Sequence, residues 1–315
     1  MPEQPQSKLS FLRKIYTPLH FNHWYTFTLF FITAGALMGF TLSRLMFLSV
    51  DNVFCNPSQR GGAAPGECYY YSGQGGQRYR TGIIIHLATI LPAGFLVCFQ
   101  FVPVIRHKAL LFHRVSGYTI LILSLVSTAG VFMIVDKSFG GDWATQTVTG
   151  VAGGMFVGAL AIAYVNVKML RLDQHRAWML RAWSYAASII SLRLIMMIPQ
   201  TIESAHGYAA RPCDQIDFVF GHQQNITLLV YPECKAYYTG ENPDQHALVE
   251  AKMGINPVEI GAFLGLSFGM GFCVALPLHA LVVEVYLHFT KAEAERLREV
   301  SRQRRIDAKA KQGRA

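Results

Sequence analysis

Charge is scarce in this sequence. Asp, Glu, Lys and Arg make up only 15% of its 315 residues, against 52% apolar residues. Soluble domains carry about 25% charge, so an ordinary soluble fold is excluded. Catalytic signatures are missing as well. The sequence contains no H-E-x-x-H zinc motif, P-loop, dinucleotide fingerprint or nucleophile elbow, so no function can be assigned from the usual short motifs. There is no internal repeat. No secretory signal peptide is expected either, because the first apolar run starts late and is long enough to stay as an anchor.

The apolar residues that are present lie in long blocks. Crossing a hydrocarbon core about 30 Å thick takes about 20 apolar helical residues. Six stretches qualify: Trp24–Val50, Thr81–Val104, Val115–Val135, Thr147–Leu170, Ala177–Ile198 and Ile260–Phe289. Their apolar residues surround the whole helix rather than forming one stripe. The expected fold is all-α, a polytopic membrane bundle of about six transmembrane helices over 24–289. Its outer loops would be 51–80, 136–146 and 199–259, with cytoplasmic segments at 1–23 and 290–315. The implied location is a multi-pass position in a lipid bilayer, in either the plasma membrane or an endomembrane.

Lys and Arg set the direction of such a chain. With the N-terminus inside, the inner loops carry ten and the longer outer loops seven; nine more lie beyond Phe289. The basic balance is therefore a topological signal and calls for no nucleic acid. Cys55 and Cys68 share the first outer loop, and Cys213 and Cys234 share the third. An oxidising outer face makes Cys55–Cys68 and Cys213–Cys234 the expected disulfides, whereas Cys98 and Cys273 fall inside helices. Asn225-Ile226-Thr227 is a glycosylation sequon in the same outer loop. A short helix is expected at Pro243–Met253, and the loop holding it reads as a disulfide-tied cap or a lid. The tail is expected to continue the sixth helix as a solvated stretch with affinity for anionic headgroups.

Histidines hold what chemistry the sequence offers. His113 and His175 stand at the inner mouths of the third and fifth helices, both of which run outward, so the two imidazoles lie at one level. Facing imidazoles at matched depth can ligate haem iron from both sides, and Arg114, Arg176 and Arg181 would then neutralise the propionates. The alternative is that these His-Arg pairs only anchor helices at the headgroups. His86 runs with the inward helix and lies about 27 Å from its inner end, too far to share a centre with His113. His20, His23, His279 and His288 are weaker candidates, and His206, His222 and His246 lack the ligand spacing of a structural zinc site. Arg193 lies in the outer half of the fifth helix. A central Arg costs roughly 2.5–3.5 kcal/mol on insertion scales, so it should either face a partner, Asp136 or Glu203 being the candidates, or snorkel outward.

Together, His86, Phe99-Gln100-Phe101-Val102-Pro103, His113-Arg114-x-x-Gly117, His175-Arg176-x-Trp178-Met179-x-Arg181 and Leu192-Arg193-Leu194 resemble the membrane family catalogued as domain of unknown function 2306, over roughly residues 80–200. The outer loops with paired Cys are similar to those of fungal members. A more distant likeness is to the cytochrome b561 class, in which histidines on successive helices bind two haems and pass electrons across the membrane. His86, His113 and His175 resemble three of the four ligands. The fourth helix has no histidine, so this likeness implies at most one inner haem b site, at His113 and His175. Two functions stay open: a b-type haem redox protein (an oxidoreductase), or a non-catalytic polytopic protein such as a transporter or an accessory component of a biosynthetic or signalling pathway. No protein partner is indicated.

Overall fold

The computed structural model describes residues 13–21, 24–56, 62–202 and 207–312. Among these residues six helices are long and apolar enough to cross a membrane: α1 Trp24–Arg44, α2 Gln77–Gln100, α3 Leu110–Ile134, α4 Trp143–Lys168, α5 Leu172–Ile195 and α6 Pro257–Phe289. A seventh helix, α7, covers Lys291–Gln312 and is strongly polar. The protein is thus an all-α multi-pass membrane protein. All but α1 start three to five residues earlier than hydropathy alone indicates, and at α4 and α6 polar residues cap the start. Asp142 Oδ1 accepts from the Thr145 N–H at 2.7 Å to start α4, and Asn256 Oδ1 accepts from the Val258 N–H at 3.0 Å before Pro257 opens α6. At the other end of α2, Pro103 ends the helix, since the residue before a proline is pushed out of the helical region. Val102 is accordingly extended (φ −76°, ψ 117°).

The chain forms two compact units. The first contains α1 with residues 81–100 of α2 and 110–131 of α3. Its α2 and α3 meet at Gly130, where a Cβ would come within 2.8 Å of the Gly82 carbonyl oxygen and 2.9 Å of the His86 nitrogen. Close backbone approach of this kind is what small residues supply in lipid, where no hydrophobic effect drives helices together. Gln100 Nε2 donates to Ser116 Oγ at the other end of the same pair.

The second unit contains residues 63–80 and everything from Phe132 onward. Its helical core packs Val148 and Ala152 of α4, Leu192 of α5 and Phe268, Phe272, Ala275 and Leu276 of α6. A cap built from residues 207–256 stands at the N-terminal end of α6. In it, β1 (Tyr208–Pro212) pairs antiparallel with β2 (His246–Glu250), Ala210 facing Leu248. The expected helix at Pro243–Met253 is therefore wrong. Ala247 and Val249 are buried between exposed His246 and Leu248, a period of two that suits a half-buried strand. Cys213 and Cys234 are bonded (Cα–Cα 5.5 Å), and Cys55 and Cys68 are the other two disulfide-bonded cysteines. At 33 residues α6 is about 50 Å long, well beyond a 30 Å hydrocarbon core. Its N-terminal residues Val258, Ala262 and Phe263 accordingly belong to the core of the cap.

The tail also differs from expectation. At Thr290 the backbone leaves helical geometry (φ −107°, ψ 31°), and α7 packs against the start of α5 instead of prolonging α6. Ser301 Oγ accepts from the Leu172 N–H at 2.9 Å, so a tail residue caps α5 from outside. Arg298 Nε lies 3.3 Å from Asp173 Oδ2, and Leu297 and Ser301 are buried. A fully solvated tail would bury neither.

Candidate functional site

The histidines singled out in the sequence fall in different units. In the first, His86 Nδ1 bonds Ser127 Oγ at 2.8 Å. Ser127 is 14 residues along α3 from His113, about 21 Å of helix, so His86 and His113 do not share a centre. His113 lies in the first turn of α3 beside exposed Arg114. In the second unit His175 lies in the first turn of α5, and its Nδ1 is 2.9 Å from the Ala163 carbonyl oxygen. A carbonyl only accepts, so Nδ1 carries a proton, and in a neutral ring the lone pair would lie at Nε2. That tautomer is the one an axial ligand needs. Arg181 does not fit a propionate-binding role, because its guanidinium is held by Glu284 of α6 through two bonds of 2.6 and 2.9 Å and lies 4.6 Å over Trp178. Arg176 reaches Thr290 Oγ1 at 3.3 Å. His279, a weaker candidate from sequence, ties α6 to α5 through both ring nitrogens, Nδ1 to the Ser184 carbonyl at 2.9 Å and Nε2 to Ser191 Oγ at 2.8 Å.

A denser polar centre lies elsewhere in the second unit, under the cap. Glu67 opens the short helix Glu67–Tyr71 and is 5% exposed. Its Oε2 accepts from the Ala64 N–H at 2.8 Å, and its Oε1 from the Phe139 N–H at 2.9 Å. The Tyr71 hydroxyl also reaches Oε1 at 3.3 Å and bonds Ser138 Oγ at 2.9 Å. Burial pushes the Glu67 carboxyl above the usual range, opposed by its two backbone donors, the Arg193 charge and the Tyr71 hydroxyl. Burial likewise raises Tyr71 well above the ordinary phenol and Tyr70 to about 12.

Arg193 faces this centre. Its guanidinium lies 4.7 Å over the Phe139 ring and 5.6 Å from that of Phe268, and these two rings stack at 4.0 Å and 8°. The charge is held by aromatic faces and the field of Glu67. Of the two carboxylates expected from sequence, Asp136 has other partners. Asp136 is engaged by Arg78 Nη2 at 2.7 Å and the Tyr79 hydroxyl at 2.9 Å, and Glu203 lies outside the described residues. Phe139 is what brings the parts together: it adopts φ 49°, ψ 39°, a left-handed conformation costly for a bulky residue. That conformation aims its N–H at Glu67 and its ring at Arg193. Arg211, at the end of β1, donates from Nη1 to the Gly140 carbonyl at 3.3 Å. Burial lowers its pKa. Glu67, Phe139, Gly140, Arg211 and Gln215 line a cavity of about 10 Å³, room for a single water.

Sequence reasoning reached Arg193 through the cost of a charge in lipid. It missed Glu67, Tyr71, Phe139 and Arg211, which sit in short elements between the long helices, too brief to show a periodicity. The only available signal was an acid, Glu67, beside a tyrosine run in a Gly-rich segment. Elsewhere in the cap, His222 Nδ1 pairs with Asp217 at 2.7 Å, and His246 Nδ1 with the Asp244 carbonyl at 2.7 Å. His23 and His206 lie outside the described residues. Asn225 is exposed on the helix Gln224–Val230, while Thr227 of its sequon is buried.

Comparison with known proteins gives one curated relative: the chain is 21% identical over 314 residues to "Ava biosynthesis cluster protein G" of Aspergillus versicolor, covering 85% of this chain and 90% of that protein. No solved structure matches. Residues 83–210, the stretch that holds His86, His113, His175 and Arg193, match the model of the family described as "predicted membrane protein (DUF2306)", which is the family the sequence motifs resemble.

Proposed function

We propose that this chain is a multi-pass membrane component of a small-molecule biosynthetic pathway, engaging its ligand at the polar centre under the cap, with both termini in the cytoplasm. The observation that carries the reading is the Glu67–Phe139–Arg193 arrangement. A left-handed Phe costs of order 1–3 kcal/mol, and a buried acid beside a cation in lipid adds to that cost. Strain and buried charge gathered at one place are the mark of a site rather than of a scaffold. The relative's name supports the pathway context, and the excess of Lys and Arg in the inner loops supports the orientation. The test is deletion of the gene in the organism that encodes it, with metabolite profiling by mass spectrometry. Loss of a product, restored by the wild-type chain but not by Glu67→Gln or Arg193→Met at equal membrane abundance, is expected. An unchanged profile on deletion refutes the pathway role, and full rescue by both variants refutes the site.

A second reading, a haem b redox protein with His113 and His175 as axial ligands, is favoured by one observation, the Nδ1–H bond of His175 to the Ala163 carbonyl. His175 suits one axial position, and bound haem would supply one-electron transfer there. Arg181 would first have to leave Glu284 to meet a propionate. Oxidised and dithionite-reduced absorption spectra of the purified protein decide. Reduced b-type bands lost in His175→Ala sustain this reading, and protein from haem-replete cells without them removes it.

A further inference from the structure

Two polar contacts fix the course of α7 after the bend at Thr290. Arg176 Nη2 donates to Thr290 Oγ1 at 3.3 Å, and the Leu172 N–H donates to Ser301 Oγ at 2.9 Å. Between these bonds α7 advances about 16 Å and α5 only about 6 Å, so α7 crosses the start of α5 rather than running beside it. The helices α5 and α6 are antiparallel, Arg181 meeting Glu284 and Leu192 packing at Gly271. The start of α5 and the end of α6 therefore share one face of this bundle, and α7 lies over that face. Beyond Ser301, every residue of 302–312 except Ala308 is exposed.

Charge divides α7 into two halves. As far as Arg302 its arginines are matched within the protein: Arg296 by Glu293 at 2.8 Å, Arg298 by Asp173 at 3.3 Å and Arg302 by Glu299 at 2.7 Å. After that, Arg304, Arg305, Lys309 and Lys311 face a single acid, Asp307, whose Oδ1 already accepts from Gln303 Nε2 at 2.9 Å. Arg305 Nε donates to the Ser301 carbonyl of its own helix at 3.3 Å. Arg171, exposed and next to Leu172, adds a fifth cation at the same place. Among the described residues none of these five has an ion-pair partner. Ile306 stands 51% exposed among them, with Arg302 and Lys309 about one turn to either side. Unmatched cations around one apolar side chain, laid across a bundle face, are complementary to a layer of anionic headgroups. The cations meet the phosphates and the apolar residue enters the acyl boundary.

We propose that residues 304–311 of α7, together with Arg171, form a docking surface for the anionic phospholipid headgroups of the leaflet at that face, the cytoplasmic leaflet in the orientation proposed above. The experiment uses the full-length protein in nanodiscs, with an environment-sensitive dye on Ala310→Cys in a Cys273→Ala background. Cys98 is buried and the remaining cysteines are disulfide-bonded, so the dye reports the tail alone. Replacing part of the phosphatidylcholine with phosphatidylserine is expected to blue-shift the emission. Raising the ionic strength to about 1 M, where the Debye length is about 3 Å, should reverse the shift. Each basic residue at an anionic surface raises the docked-to-free ratio about fivefold, so Arg304→Gln with Arg305→Gln should lower it about 30-fold. Glu293→Gln with Arg296→Gln removes a matched pair and should leave it unchanged. The same emission in neutral and anionic discs overturns the proposal without any further variant having to fold. So does a shift that survives the added salt, or one that keeps its full size in folded Arg304→Gln/Arg305→Gln. Release of the tail by inorganic phosphate at matched ionic strength would make the occupant a free anion, and also overturns it.

Discussion

Replacing Glu67 with Gln tests the centre under the cap most directly, because the change keeps shape and alters only what the two terminal atoms can accept. In the native arrangement both oxygens are acceptors, Oε2 for the Ala64 N–H and Oε1 for the Phe139 N–H and the Tyr71 hydroxyl. A glutamine offers one oxygen and one NH2, so whichever way it turns, a backbone N–H meets another donor. A buried donor left unsatisfied costs about 1–3 kcal/mol, and the loss of the field at Arg193 adds to it. At about 2–4 °C per kcal/mol for chains of 150–250 residues, a 2 kcal/mol loss lowers the midpoint by about 4–8 °C. The assay is thermal unfolding of the purified protein in detergent, followed by reactivity of the buried Cys98 thiol. Protonation gives a second readout with a definite sign. With its folded pKa raised above the usual 4.5, Glu67 holds its proton to higher pH in the native state than in the unfolded one. Its contribution is therefore fully present below about pH 4.5 and is lost as pH rises through the raised value. That slope should be absent in Glu67→Gln. A midpoint lowered by less than 1 °C, with the pH slope intact, would refute the reasoning.

Other outcomes follow from neighbouring features. Ser301→Ala removes the outside cap of α5 and should cost about 1 kcal/mol, with faster proteolysis of the released α7 as its signature; unchanged cleavage would mean the tail is held by other contacts. Arg181→Met or Glu284→Gln alone should destabilise more than the two together, since each single change strands a charge; additive losses in a double-mutant cycle would show the pair to be uncoupled. The proposed orientation puts 199–259 outside, so expression in a eukaryotic secretory system should give a species shifted down by endoglycosidase and abolished by Asn225→Gln. Its absence, with the same site modified in a reversed-topology control, would place that loop on the cytoplasmic side.

The spans were legible because a membrane leaves few choices: about 20 apolar residues and internally bonded backbone. Hydropathy placed the starts of α3 and α5 five residues late, past the first turns where His113 and His175 reside; at α5 that turn is polar and its Leu172 N–H is capped from the tail by Ser301. Arg193 was legible as an expensive charge. Its surroundings were not, because Asp136 is nearer in the topology than Glu67, and nothing in the string Ser-Phe-Gly-Gly announces that the phenylalanine rather than a glycine takes the left-handed turn. The strand β2 was mistaken for a helix because Ala, Leu and Glu favour helices locally, whereas pairing with β1 buries Ala247 and Val249 on one face. Arg211 could be placed only in the folded molecule, where two glycines far apart in sequence, Gly140 and Gly265, clear space for it.

The length of α6 has a mechanical consequence. One continuous rod is anchored in the cap at Val258 and Ala262 and ends at the bend of Thr290, from which α7 turns back onto α5. A tilt imposed at the cap is therefore delivered along the whole thickness of the bilayer to the clasp between Ser301 and Leu172. Pro277 interrupts the rod, since its missing N–H leaves the Cys273 carbonyl without its helical donor. Both residues line the apolar groove between α4 and α6, so the turn of the rod that lacks a helical bond is the one facing α4.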